Sequence, residues 1–275
     1  MTRPKHVRVC AIVFILLFLI LFLLTYKFHH QPSSTLDLPL LGVGSTSGES
    51  LKYSIEVGYR MFDSAEMYGD HHKVLGGALI NSRIPRHKYF VVTKLKLEHL
   101  TEAQDQEEAK RNCSTSVTNI LNDLGIVYID ILLIHWPGKN KNSKSCNIKC
   151  KKLTPVEWSR RRSWLWRAME KEVERGRVKY IGVSNFNIRQ LEELNTFASI
   201  LPTVNQIERH LLWREDELVQ YCRKQGIAVM AYRPLGGRST LKVLKANVQL
   251  QKMCEKYSKS LSQVALRWSF QNNIP

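Results

Sequence analysis

The chain has 275 residues, 44% of them hydrophobic, and a formal net charge of +17. This hydrophobic content is sufficient for a large core and excludes an intrinsically disordered chain. The positive charge is compatible with nucleic acid or anionic lipid as a partner. However, the sequence carries no zinc-finger or RNP motif, and lysine-rich runs such as residues 139–152 more often form solvated faces, so no nucleic-acid partner is expected.

The first predicted element is an apolar helix at residues 9–26, which would span about 27 Å at about 1.5 Å per residue, close to the ~30 Å of a bilayer core. A cleaved signal peptide is the alternative, but no Ala-x-Ala-like site follows. Three basic residues precede the run, and Lys27 alone follows it closely. The positive-inside rule therefore predicts a cytosolic stub at residues 1–8, a single-pass transmembrane signal-anchor helix, and a lumenal domain in the endoplasmic reticulum or secretory pathway. Residues 27–37 are predicted to be a linker.

Six cysteines are present, and their spacing does not indicate a disulfide scaffold. Cys146 and Cys150 lie close together in a polar loop, and whether they pair is left open. No further ligands follow them at zinc-site spacing, so we expect no metal site. The tripeptide Asn112-Cys113-Ser114 is a glycosylation sequon, but it falls inside a predicted helix.

Strand-like apolar runs alternate with amphipathic stretches through the rest of the chain. The predicted strands are residues 60–63, 90–94, 128–135, 180–184, 203–206 and 228–232, with residues 40–43 as an additional first strand. The predicted helices are residues 73–80, 102–124, 155–175, 188–199, 214–224 and 261–271. This alternation predicts parallel strands with right-handed crossovers, in a doubly wound sheet or a barrel. No Gly-x-Gly-x-x-Gly follows a strand, so the Rossmann alternative loses its main support.

Ionisable residues stand at the carboxyl ends of three predicted strands, namely Asp63, Lys94 and His135, and Tyr68 follows shortly after the first of them. In a parallel barrel these strand ends carry the active site. A single such residue is usually structural, whereas several at successive strand ends indicate a site.

The segments around these residues resemble the aldo-keto reductase family. Residues 58–69 resemble its signature around the catalytic Asp and Tyr, residues 91–94 its lysine strand, and residues 129–137 its histidine strand. Three further segments are similar to its nicotinamide-binding segments, namely residues 182–186, 205–206 and 231–236. The resemblance covers roughly residues 38–275. It implies an α/β fold of the TIM (β/α)8 barrel type, NADPH as cofactor with NADH not excluded, and a small-molecule carbonyl substrate.

The resemblance also implies a role for each matching residue. Tyr68 would donate a proton to the carbonyl oxygen, and Lys94 would favour the resulting phenolate. Asp63 would hold Lys94, and His135 would orient the carbonyl. The residues implied to bind the cofactor are Ser184, Asn185 and Gln206 at the carboxamide, Tyr232 under the nicotinamide ring, and Leu235 and Gly236 near the pyrophosphate. Trp136 is either part of the substrate pocket or a core aromatic residue.

The sequence departs from the family pattern at its end and at one residue of the site. Relatives continue beyond the equivalent of residue 275 with an eighth strand and a last helix, so we expect an incomplete barrel at residues 38–275. Arg233 stands where many relatives carry a serine. The expected function is NADPH-dependent reduction of aldehydes or ketones. The alternative is a catalytically weak, membrane-anchored regulatory or accessory subunit, and the sequence leaves the oligomeric state open.

Overall fold

A computed structural model describes residues 36–138 and 153–275. Its centre is a parallel sheet in which each strand pairs with the next one along the chain. The strands are β1 (Met61–Asp63), β2 (Phe90–Leu95), β3 (Ile129–Ile134), β4 (Val178–Ser184), β5 (Val204–Glu208) and β6 (Ala228–Tyr232). The predicted α/β architecture with parallel strands is confirmed.

The sheet is curled into a half-barrel, consistent with a TIM-like fold. Gln206 on β5 donates a hydrogen bond from Nε2 to Asp63 Oδ1 on β1, at 3.1 Å. These strands are four positions apart in the sheet order, which would separate them by about 19 Å if the sheet were flat. The curl therefore brings the carboxyl ends of distant strands together around one opening.

Helices follow most strands. They are α1 (Gly48–Glu56), α2 (His71–Ser82), α3 (Glu98–Glu102), α4 (Gln106–Leu124), α5 (Pro155–Glu174), α6 (Ile188–Phe197), α7 (Asp216–Lys224), α8 (Arg238–Ala246), α9 (Val248–Tyr257) and α10 (Leu261–Gln271). Short 3-10 helices occupy Glu66–Tyr68 and Arg86–Lys88. Every residue of β3 is buried, because one face of the sheet lines the interior and the other packs against helices.

Two sequence predictions differ from the structure in their details. Residues 102–124 were predicted as one helix, but they contain the end of α3 and a separate α4. Asp105 lies in extended backbone between them and caps α4 by accepting a hydrogen bond from Glu108 N at 2.7 Å. Residues 40–43 do not form a strand, since Val43 alone makes an isolated parallel bridge, to Phe62.

Some predictions fall on residues that the structure does not describe. They are the stub at residues 1–8, the transmembrane helix at residues 9–26, most of the linker at residues 27–37, and the pair Cys146 and Cys150. Among the helices of residues 36–138 and 153–275, none has the length and apolar character needed to cross a bilayer.

Candidate active site

A buried ion pair forms the floor of the candidate site. Lys94, near the end of β2, is only 2% exposed, and its Nζ donates to Asp63 Oδ1 at 2.7 Å and to the Ser64 carbonyl oxygen at 3.0 Å. Asp63 is the last residue of β1, and β1 pairs directly with β2. In this register Asp63 is opposite Val92, and Lys94, two residues further along β2, pairs with its carboxylate at the carboxyl end of the sheet.

Tyr68 lies above this pair, at the end of the 3-10 turn that follows β1. Lys94 Nζ is 5.5 Å from the centroid of the Tyr68 ring. The ring also meets the His135 ring edge-on, with centroids 5.7 Å apart. Tyr68 is 37% exposed, so the phenol faces solvent on one side. The four residues predicted to be catalytic are thus brought together.

The pKa of Tyr68 is shifted opposite to the direction expected from the sequence. Burial, then the charge of Asp63 and the proximity of Tyr232, raise it to about 12, against a smaller lowering effect of Arg233. Lys94, whose Nζ is paired with both carboxylate oxygens of Asp63, is not among the groups that shift the pKa of Tyr68. The phenol is therefore protonated at neutral pH.

His135 follows β3 and is kept neutral by its surroundings. Burial, and then the charge of Lys94, lower its pKa to about 3. Its Nδ1 has no hydrogen-bond partner within the described part of the chain. The ring stacks on Trp136 at 6.1 Å with an interplanar angle of 12°. A neutral imidazole of this kind offers a hydrogen bond without adding charge.

Trp136 contacts both the candidate site and the hydrophobic core. It is partly exposed, stacks on His135, and also packs against the hydrophobic core. The geometry is therefore compatible with a pocket wall and with a core aromatic residue, and its role in a substrate pocket stays a prediction.

Amide and hydroxyl groups lie at the carboxyl ends of β4, β5 and β6. Ser184, the last residue of β4, donates from Oγ to the Gln206 carbonyl oxygen at 2.9 Å. Asn185 follows it with a left-handed φ of 64° and donates from Nδ2 to the His135 carbonyl oxygen at 2.9 Å. The hydroxyl of Tyr232, at the end of β6, donates to Asn185 Oδ1 at 2.7 Å. These hydrogen bonds join the ends of β3, β4, β5 and β6 into one polar rim.

The loop after β6 contains Leu235 and Gly236 and leads into α8. Gly236 has a φ of 68°, and its N–H donates to the Arg233 carbonyl oxygen at 2.7 Å, forming a tight turn. Arg233 itself has a left-handed φ of 51° and a side chain that is 65% exposed. Arg238 is the first residue of α8. The turn thus carries two arginines at the same end of the sheet as the polar rim.

One buried cluster beside the site was not predicted from the sequence. Glu66, the first residue of the turn that carries Tyr68, contacts His99 on α3, which in turn contacts Ser116 on α4. The only signal in the sequence was the position of Glu66 between Asp63 and Tyr68. Within the described residues, no group of three His, Cys, Asp or Glu side chains is arranged to hold a metal ion.

Comparisons with known proteins agree with this arrangement. The profile of the Aldo/keto reductase family matches residues 45–275. Aldo-keto reductase family 1 member A1 of Gallus gallus is 34% identical over 255 residues, which are 86% of this chain and 75% of that protein. Glyoxal reductase of Bacillus subtilis is 32% identical over 91% of this chain and 80% of its own length.

A solved structure shows the same fold. The aldo-keto reductase MGS-M4, from a Medee basin deep-sea metagenome library, superposes with a TM-score of 0.72 at 33% identity and covers 86% of this chain and 79% of its own. None of these matches supports the expected truncation or the expected transmembrane segment.

The predicted location is corrected by these findings. The sequence predicts a single-pass membrane protein with a lumenal barrel. The matched relatives are reductases of one family, and the helices of the described residues include none that could span a bilayer. That location was inferred from the hydropathy of residues 9–26, which lie outside the described residues.

Proposed function

Because the chain belongs to the aldo/keto reductase family and is an NAD(P)H-dependent oxidoreductase, we propose that it reduces aldehydes or ketones to alcohols with NADPH, and that Tyr68 is the proton donor. The observation that carries this proposal is the grouping of Tyr68, Lys94 and His135 around Asp63 at one end of the parallel sheet. NADH remains the alternative cofactor.

The donor set suits a nicotinamide cofactor. Ser184, Asn185 and Gln206 present uncharged hydroxyl and amide groups, which match a neutral carboxamide, and the partly exposed ring of Tyr232 stands beside them. Arg233 and Arg238 supply positive charge where the turn of Leu235 and Gly236 would meet phosphate groups. When bound, NADPH supplies the hydride.

In the proposed reaction, side chains of the protein supply the proton that the carbonyl oxygen receives. Tyr68 would hold its proton at neutral pH even with the ordinary pKa of about 10, and burial and Asp63 raise that pKa further, to about 12. We expect Lys94, whose Nζ lies 5.5 Å from the centroid of the Tyr68 ring, to favour the phenolate once the proton has moved to the carbonyl oxygen. Neutral His135 would fix that oxygen by a hydrogen bond, and partly exposed Tyr68 would reach it from the solvent side.

The test is a Tyr68→Phe protein assayed with a panel of aliphatic and aromatic aldehydes by NADPH oxidation. We expect kcat to fall about 10²- to 10⁴-fold, the usual contribution of general acid catalysis. NADPH affinity, measured by quenching of tryptophan fluorescence, should change little. Tyr53→Phe, at an exposed tyrosine on α1, is the matched control. A Tyr68→Phe protein that reduces aldehydes as fast as the parent would refute the proposal.

The alternative of a catalytically weak, membrane-anchored accessory subunit has no support within the described residues. A chain serving only as a scaffold has no need to keep Tyr68, Lys94 and His135 assembled around Asp63. The division into residues 1–8, 9–26, 27–37 and 38–275 stays a prediction. The small carbonyl substrate is proposed as a class, without a preferred member.

A further inference from the structure

A buried carboxylate lies under the turn that carries Tyr68. Glu66 is only 13% exposed, and its Oε2 accepts a hydrogen bond from Lys96 N at 2.9 Å. The same oxygen is 2.9 Å from His99 Nε2 on α3. Lys96 is two residues beyond Lys94, so this carboxylate joins the turn of Tyr68 to the strand end of Lys94.

The partner of Glu66 is itself held in place. His99 is 8% exposed, and its Nε2 also lies 3.1 Å from Ser116 Oγ on α4. The side chains of Glu66, His99 and Ser116 therefore connect the turn, α3 and α4 through one buried cluster. Buried polar networks of this kind hold a defined geometry, because a displacement that breaks one hydrogen bond leaves a desolvated polar group without a partner, which is destabilising.

The turn has few other attachments. Glu66 is mostly buried but no residue of Glu66–Tyr68 is completely so, whereas Ala65 just before the segment is fully buried. Met67 is exposed, and Tyr68 points partly to solvent. Within the turn, the side chain of Glu66 is the one that reaches into a buried hydrogen-bond network of the described residues.

We propose that Glu66, held by His99 and Ser116, is a positioning residue that fixes the Tyr68 phenol relative to the Lys94 ammonium group. This proposal rests on the proposed function, in which these two groups share the proton-transfer step. Small displacements matter at such a site, since a shift of about 1 Å can cost about 10²-fold in rate.

The electrostatics favour positioning over a direct charge effect. Burial alone would raise the pKa of Glu66, but the hydrogen bond and attraction of His99, with further hydrogen bonds from Ser116 and Lys96 N, lower it to about 2. Glu66 is therefore ionised at neutral pH. The charged groups that shift the pKa of Tyr68 are Asp63 and Arg233, and Glu66 is not among them. The proposed influence on Tyr68 therefore acts through position, since the carboxylate of Glu66 contacts Lys96 N and His99 Nε2.

The experiment compares Glu66→Ala with Glu66→Gln, which keeps an acceptor for Lys96 N. The control is Glu107→Ala, which removes a 65% exposed carboxylate of α4 that pairs with Lys110. We expect Glu66→Ala to lower kcat at least tenfold, while KM and NADPH affinity change less than threefold. Glu66→Gln should recover part of kcat, and Glu107→Ala should match the parent.

Two outcomes would overturn the proposal. One is a folded Glu66→Ala protein with the kcat of the parent, and the other is a loss of kcat matched by an equal loss of NADPH affinity, which indicates general disruption. If Glu66→Ala does not fold, Glu66→Gln and Ser116→Ala decide instead. Each should lower kcat without changing KM, and parental kcat in both would overturn the proposal.

A second readout does not depend on turnover. The ¹³C-tyrosine NMR signal of Tyr68, assigned from its loss in Tyr68→Phe, should shift or broaden in Glu66→Ala and stay unchanged in Glu107→Ala. If the parent reduces no carbonyl but the signal moves as expected, the proposed function fails while the positioning survives. If the parent is active and the signal does not move, the positioning proposal alone fails.

Discussion

Lys94 Nζ lies 2.7 Å from Asp63 Oδ1, and the same carboxylate oxygen accepts a second hydrogen bond from Gln206 Nε2 at 3.1 Å. One aspartate thus connects β1, β2 and β5. Burial lowers the pKa of Lys94, and the contacts with Asp63 oppose that shift without cancelling it. The charge on Lys94 therefore depends on an intact partner.

Replacing that partner should be costly. Asp63→Asn keeps the shape of the side chain but leaves the ammonium group buried without a counter-charge, so we expect a loss of about 3 kcal/mol in the free energy of unfolding. Urea unfolding at pH 7 measures it. The double variant Asp63→Asn/Lys94→Met removes the buried charge as well and should be more stable than Asp63→Asn alone. Equal stability of Asp63→Asn and the parent would contradict this explanation.

His135 should make stability depend on pH. Its pKa is about 3 in the folded chain against an ordinary 6.5, so the unfolded chain binds more protons between these values. This contribution is fully present above pH 6.5 and is lost as the pH falls towards 3. Between pH 7 and pH 4.5 we expect a loss of about 3 kcal/mol in the free energy of unfolding.

The check is urea unfolding of the parent and of His135→Gln across this pH range. The variant should lose about 3 kcal/mol less than the parent, because glutamine does not titrate. His87→Gln, at an exposed histidine of the 3-10 helix Arg86–Lys88, is the control and should follow the parent. Identical pH profiles for the parent and His135→Gln would show that His135 titrates normally in the folded chain.

Much of the fold could be predicted from the sequence, because buried parallel strands are continuous apolar runs. All six strands of the sheet were located within a few residues, and the alternation with helices gave the parallel topology. The helix α1 and the pair α8 and α9 were missed. Helix α9 buries no residue and α8 only Leu244, so both lie on the periphery of the fold.

The site residues that stand at strand ends could be predicted from the sequence. Contacts that depend on how separate helices and turns pack together could not. Asp63, Lys94 and His135 stand at strand ends, and parallel pairing then brings them together. The cluster of Glu66 with His99 and Ser116 joins residues far apart in sequence, and no local pattern marks such contacts. The pKa direction of Tyr68 was missed for a similar reason, since the sequence does not show how far folding buries the phenol beside the Asp63 carboxylate.

Two adjacent glycines of α2 give a matched test of helix packing. A Cβ on Gly76 would lie 2.5 Å from the Asp123 carbonyl oxygen and 2.8 Å from Leu124 Cα, both backbone atoms that cannot move easily. Gly77 has open space around the same position. We expect Gly76→Ala to lower the free energy of unfolding by about 2 kcal/mol or more, and Gly77→Ala to raise it by about 0.5–1 kcal/mol.

Thermal and urea unfolding of the two variants measure this difference directly. Both substitutions add one methyl group to the same helix and bring the same intrinsic gain in helix propensity. The difference between their free energies of unfolding therefore reports the close approach of α2 to the end of α4. Two variants of equal stability would mean that the two helices can separate at little cost.

Arg233 offers a test of the cofactor site through its charge. It follows Tyr232 in the chain, its side chain is 65% exposed, and its guanidinium group is 3.9 Å from the Glu208 carboxylate, too far for strong pairing. With Arg238 at the start of α8, it would face the negative phosphates of NADPH in the proposed function. Because the charge is exposed, its attraction should be screened by salt.

The variants Arg233→Ser and Arg233→Lys separate charge from shape. At low ionic strength we expect Arg233→Ser to weaken NADPH binding about three- to tenfold, while Arg233→Lys stays close to the parent. At about 1 M salt the variants should converge, because the screening length falls to about 3 Å. Arg233→Gly controls for the left-handed φ of 51°, since glycine relieves that backbone but also lacks the charge. If Arg233→Ser binds NADPH like the parent with the same salt dependence, the phosphates of the cofactor lie out of reach of Arg233.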